Sequence, residues 1–132
     1  MREKVYSQTQ EDIFRERAQV LARTGESVHL ALEILRTIER GIDYRMGLLK
    51  TVCDRERHPD VMEGSLRPSQ NREKLLNEIN SEILKYNKAR EHAKLRYYYL
   101  IVTREAMGLR RHKTVEDIYT IPPKREYLRK RS

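Results

Sequence analysis

Residues 28–42 read Val28-His29-Leu30-Ala31-Leu32-Glu33-Ile34-Leu35-Arg36-Thr37-Ile38-Glu39-Arg40-Gly41-Ile42. Val28, Leu35 and Ile42 stand seven residues apart, and Leu32 and Glu39 fall between them, so the intervals alternate four and three. That alternation keeps one stripe on one side of a helix, as in a two-helix seam. Followed outward, the first series becomes Phe14, Leu21, Val28, Leu35, Ile42, Leu49, and the second Ala18, Gly25, Leu32, Glu39, Met46, Cys53. Ile13, Ile34, Ile38, Leu48 and Val52 widen the stripe into an apolar face. The pattern predicts a long helix over residues 9–54, after an N-terminal lead of residues 1–8. Thr9 is its expected N-cap, with Asp12 three residues on. Gly25, Gly41 and Gly47 each cost roughly 1 kcal/mol relative to Ala inside a helix, so the pattern allows a kink or break near Gly25 or Gly41.

Pro59, Gly64 and Pro68 mark residues 55–68 as a connector, because proline removes a donor and clashes with the preceding turn. A second long helix follows over residues 69–107, with Ser69 as its expected cap. Its seam is Leu76, Ile79, Ile83, Tyr86, Arg90, Ala93, Tyr97, Leu100, Arg104 and Met107. Gly108 suits the left-handed position that ends a helix, with Leu109 beyond it. At 1.5 Å per residue each helix is roughly 60–68 Å long. The fold class is therefore all-α: a long antiparallel, coiled-coil-like helical hairpin. A lone hairpin buries a narrow seam and leaves Ile34, Ile38, Leu48, Ile101 and Val102 partly exposed. The bundle is expected to be completed by the C-terminal tail or by dimerisation.

The tail, residues 108–132, holds eight basic residues (Arg110, Arg111, Lys113, Lys124, Arg125, Arg129, Lys130, Arg131) and three acidic ones. Its net charge of +5 leaves +3 for the other 107 residues of a chain whose total is +8. Thr114-Val115-Glu116-Asp117 reads as a capping box that opens a short helical turn. Ile121-Pro122-Pro123 must be extended. Ile121-Pro122-Pro123-Lys124-Arg125 is either a polyproline ligand for an aromatic groove or a stiff turn that sends the chain across the helices, and the turn is favoured.

Among the 132 residues, 36% are charged and 38% hydrophobic, too apolar for a disordered chain. Five Gly and four Pro are too few for a turn-rich sandwich or barrel. No apolar run is long enough to span a bilayer, and none follows Met1-Arg2-Glu3-Lys4, so neither a membrane nor a secretory leader is expected. A single cysteine, Cys53, excludes an internal disulfide framework and a Cys-rich zinc site. A cytoplasmic location is expected.

Chemistry-bearing spacings are sparse. Glu26-Ser27-Val28-His29 has the Glu-x-x-His interval of di-iron bundles, but no second such motif accompanies it. Glu39, Arg90 and Arg104 on the two seams suit a register-setting ion pair rather than catalysis. There is no Gly-rich phosphate loop and no Gly-x-Ser-x-Gly elbow. No catalytic residue, cofactor or metal ligand is assigned, and an enzyme is not expected. The outstanding local feature is Tyr97-Tyr98-Tyr99-Leu100-Ile101-Val102, six residues that put apolar surface all round a helix. Either Val115, Ile118, Tyr119 and Ile121 fold back over its outer face, or Tyr98, Tyr99, Ile101 and Val102 form a docking site for another protein. The expected function is a non-enzymatic helical-hairpin interaction module: an adaptor, an assembly factor or an export-type chaperone. The alternative is a nucleic-acid-associated protein that uses the eight basic tail residues and the tyrosine cluster.

Overall fold

Three glycines do not interrupt the first helix. In the computed structural model, which describes residues 2–57 and 68–129 (side chains at 5, 7–57 and 71–129), α1 runs unbroken over Arg2–Arg57. The second long helix, α2, covers Pro68–Ala106, and a short α3 covers Lys113–Ile118. No strand occurs among the described residues. The fold is an all-α helical hairpin, as the heptads predict.

Several boundaries differ from expectation. The lead, residues 1–8, is helical from Arg2 onward. Thr9 is therefore inside α1, where its hydroxyl donates to the Val5 carbonyl at 2.8 Å instead of capping an end. Arg55 and Arg57 extend α1, where their charges face the negative end of its dipole. Pro68 opens α2 rather than closing the connector, since the first helical position needs no N–H donor. Residues 58–67 of the expected connector lie outside the described residues.

The described chain forms two compact units. One comprises residues 1–33 and 91–122. Its core is Val28, Ala31, Leu32, Ala93, Leu100 and Val115, all buried. Gly25 is buried here too, and an added Cβ would lie 3.2 Å from the Tyr119 hydroxyl oxygen. The seam glycine lets Tyr119 approach the helix backbone, which explains a residue that propensity alone disfavours. Of the expected tail residues, Val115 is buried and Tyr119 and Ile121 are half-buried. Ile118 is 61% exposed, being turned by about 100° from Tyr119 on α3. The helix starts before the expected capping box. His112, not Thr114, is its N-cap, and the His112 carbonyl accepts the Glu116 N–H at 2.8 Å.

The end of α2 follows its prediction closely. Gly108 has φ +84°, the Leu109 N–H donates to the Arg104 carbonyl at 2.9 Å, and the Gly108 N–H donates to the Glu105 carbonyl at 3.0 Å. These two bonds make a Schellman cap.

The other unit comprises residues 34–90 and 123–132. Leu35, Ile42, Ile79, Ile83 and Tyr86 fill its core. Arg72 pairs with Glu56 at 3.1 Å, and the Glu39 charge acts on Tyr86. A later residue on α2 thus meets an earlier one on α1, so the helices run antiparallel.

Candidate interaction surfaces

All ten expected seam residues of α2 are buried or half-buried. Along α1 the seam is covered from Leu21 to Cys53, apart from Met46, which is exposed. Before Leu21 the picture changes. Residues 7–20 are all exposed, and Phe14 is 67% exposed although it continues the line of Leu21 and Val28. Within this unit α1 supplies residues 2–33, whereas α2 supplies residues 91–106. The surplus helix is about 16 residues, or roughly 24 Å. The apolar stripe thus outruns the helix that covers it.

The tyrosine cluster divides by face. Tyr97 is half-buried beside α3, and burial raises its pKa above the ordinary tyrosine value. Glu116 pushes in the same direction and Arg104 opposes it. Tyr98 is 61% exposed, Tyr99 47% and Val102 43%, while Ile101 is half-buried. The Tyr98 and Tyr99 rings stand 6.2 Å apart at 52°. The tail does fold back, but over Tyr97 and Gly25, and it leaves Tyr98 and Tyr99 uncovered. Eleven of the seventeen exposed large apolar side chains among the described residues lie on this unit.

The basic tail residues do not act as one group. Arg110, Arg111 and Lys113 are exposed. The Arg111 carbonyl accepts from Arg104 Nη2 at 2.9 Å. His112 joins this corner: its Nδ1 accepts from Arg104 Nε at 3.3 Å, and its Nε2 faces Glu105 Oε1 at 3.1 Å. The neutral tautomer with the proton on Nε2 satisfies both bonds. Lys124 and Arg129 are also exposed. Lys130 and Arg131 lie outside the described residues.

Arg125 is different. Its Nη2 donates to Asp43 Oδ1 at 2.9 Å and to Glu39 Oε1 at 3.5 Å, and its guanidinium lies over the Tyr86 ring, 5.7 Å from the centroid. Glu39, the acidic residue on the α1 seam, therefore meets a tail arginine. Tyr86 is 1% exposed and donates its hydroxyl proton to the Pro123 carbonyl at 3.2 Å. Burial is the main reason its pKa is raised. Glu39 and Asp43 add to the rise, and Arg125 and Arg90 oppose it.

Two asparagines complete the seat of the tail. Asn87 Oδ1 accepts the Arg125 N–H at 3.0 Å, and Asn87 Nδ2 donates to the Arg125 carbonyl at 3.0 Å. Asn80 does the same for Leu128, at 2.8 and 3.0 Å. Each amide thus binds both polar groups of one backbone residue, as a neighbouring strand would. Sequence reasoning missed both asparagines. The available signal was a pair of weak helix formers, one heptad apart, directly following the seam residues Ile79 and Tyr86.

Among the described residues no group of three or more His, Cys, Asp or Glu side chains is placed to hold a metal ion. No helix among them is long and apolar enough to cross a membrane. The chain matches no protein-family model, and comparisons with curated proteins and with solved structures return no match.

Proposed function

We propose that the chain is a non-enzymatic protein-interaction module, an adaptor, assembly factor or export-type chaperone, that captures a partner on the unit formed by residues 1–33 and 91–122. The carrying observation is the uncovered apolar surface of that unit. Phe14 and its neighbours continue a seam that α2 no longer covers, and Tyr98, Tyr99 and Val102 remain exposed after the tail has folded back. Large apolar side chains left exposed in number on one unit are the material of a docking surface. A helix or a second copy of the chain is suited to cover such a stripe. The lone thiol, Cys53, fits a reducing compartment, which supports a cytoplasmic setting.

The nucleic-acid reading loses weight because Arg125 engages Glu39 and Asp43. The deciding experiment is capture from the host with the full chain and with Tyr98→Ala/Val102→Ala, each with and without nuclease. A stoichiometric, nuclease-resistant partner that the variant loses while keeping its circular dichroism supports the reading. Capture that the variant retains, or that nuclease abolishes, refutes it.

A further inference from the structure

Residues 123–129 sit on the unit formed by residues 34–90 and 123–132 in the manner of a bound peptide. Asn80 and Asn87 are two helical turns apart, about 10.5 Å along α2. Arg125 and Leu128 are three residues apart, about 9–10 Å in extended or polyproline II chain. The two repeats match, so one helix face can hold successive turns of an extended chain through its backbone alone. The asparagine contacts ignore side-chain identity because they reach only the N–H and C=O groups of Arg125 and Leu128. Tyr86 likewise takes only the carbonyl of Pro123. Side-chain selectivity enters at the Glu39, Asp43 and Tyr86 cage around a guanidinium and at the apolar seat of Leu128.

That second seat opens to solvent. Leu128 borders a surface cleft of about 350 Å³ lined by Ile42, Met46 and Ile83 with Asp43 and Glu126 at its rim. It borders another open cleft of about 360 Å³, lined by Leu49, Cys53 and Leu76 and by the charged Glu56, Arg57 and Arg72. Phenylalanine or tryptophan at this position would bury more apolar surface than leucine does.

We propose that this groove is a recognition site for an extended peptide of a partner protein carrying Arg-x-x followed by a large apolar residue, and that residues 123–129 are its intramolecular occupant. The tail holds the groove by proximity, at an effective concentration of about a millimolar. A partner peptide with a better apolar residue displaces it. This site is separate from the surface proposed above, so either can fail without the other.

The test uses the full chain and a labelled peptide, Pro-Pro-Lys-Arg-Glu-Tyr-Phe-Arg, which is the 122–129 segment with Leu128→Phe. In full-length Arg125→Glu/Leu128→Asp the tail is unseated, and fluorescence anisotropy should report binding at least tenfold tighter than to the unaltered chain. Adding Asn80→Ala and Asn87→Ala should weaken that binding at least tenfold. In the unaltered chain, saturating peptide should move the Arg125 and Leu128 amide resonances to disordered positions, which keeps the test decisive if the unseated variant loses helicity. No binding to a helical unseated variant overturns the proposal. So does binding that leaves both amides in place. Amides that stay in place while light scattering shows a doubled mass would assign the groove to the tail of a second copy instead.

Discussion

Replacing Tyr86 by phenylalanine separates two effects that meet at one hydroxyl. The ring is 1% exposed and belongs to the core of its unit, so the apolar packing survives the change. The bond to the Pro123 carbonyl does not. One hydrogen bond contributes about 1 kcal/mol net, and Pro123 is exposed enough for water to replace part of it. Tyr86→Phe should therefore cost about 0.5–1 kcal/mol at pH 7, measured as a shift in urea midpoint at constant m-value. The pH dependence carries the sharper test. In the folded chain the Tyr86 pKa lies above 10.0, chiefly through burial. Between the unfolded and folded pKa values, the unfolded state binds fewer protons. Stability then falls as pH rises, by at most about 1.4 kcal/mol per pH unit for one group. The tyrosine's contribution is complete below the unfolded pKa and is lost on the alkaline side. Phenylalanine has no proton to lose. The gap between the two proteins should narrow steadily above pH 10, and every other titrating group, Tyr97 included, cancels in the difference. A gap that stays constant from pH 7 to pH 11 would refute the placement of the Tyr86 hydroxyl.

Leu35→Ala removes a side chain that is 1% exposed in the same core and should cost about 2–5 kcal/mol, read from chemical denaturation. Arg125→Ala should cost about 1–2 kcal/mol, from partly exposed ion pairs to Asp43 and Glu39 and the contact over Tyr86. Raising the salt concentration should shrink that loss, and a salt-independent loss would contradict the ionic part. The glycines should split in sign. Gly47→Ala meets nothing within 4 Å and should raise stability by up to about 1 kcal/mol. Gly108→Ala must hold φ +84° and should lower it by about 1–2 kcal/mol, both read as shifts in melting temperature.

The seams show where sequence reasoning works. Every expected seam position of α2 is at least half-buried, and Gly108 forms its cap, because both depend on residues within a turn or two of each other. Propensity alone allows a kink or break near Gly25 or Gly41 and suggests a cap at Thr9, and α1 has neither a break nor an end there. A long packed helix absorbs the propensity cost of single glycines, and at Gly25 the absent side chain admits Tyr119. Tyr98, Tyr99, Ile101 and Val102 are legible as surplus apolar residues, with cover by the tail and an open docking face both compatible with the sequence. Which of the cluster's faces the tail meets follows from the docking of Val115 and Tyr119, which a periodicity cannot supply.

Two long helices with facing stripes, and the stop of the second one, are already written in the order of residues. Those are consequences of a 3.6-residue period and of local backbone chemistry. The seating of the tail, by contrast, depends on long-range packing. The partners of Arg125 are 82 and 86 residues away along the chain, and the asparagine pairs span 38 and 48. Backbone groups of an extended segment look alike at every position. The seat is chosen by the spacing of Asn80 and Asn87 and by the acidic cage around one guanidinium, which exist only once the helices have packed.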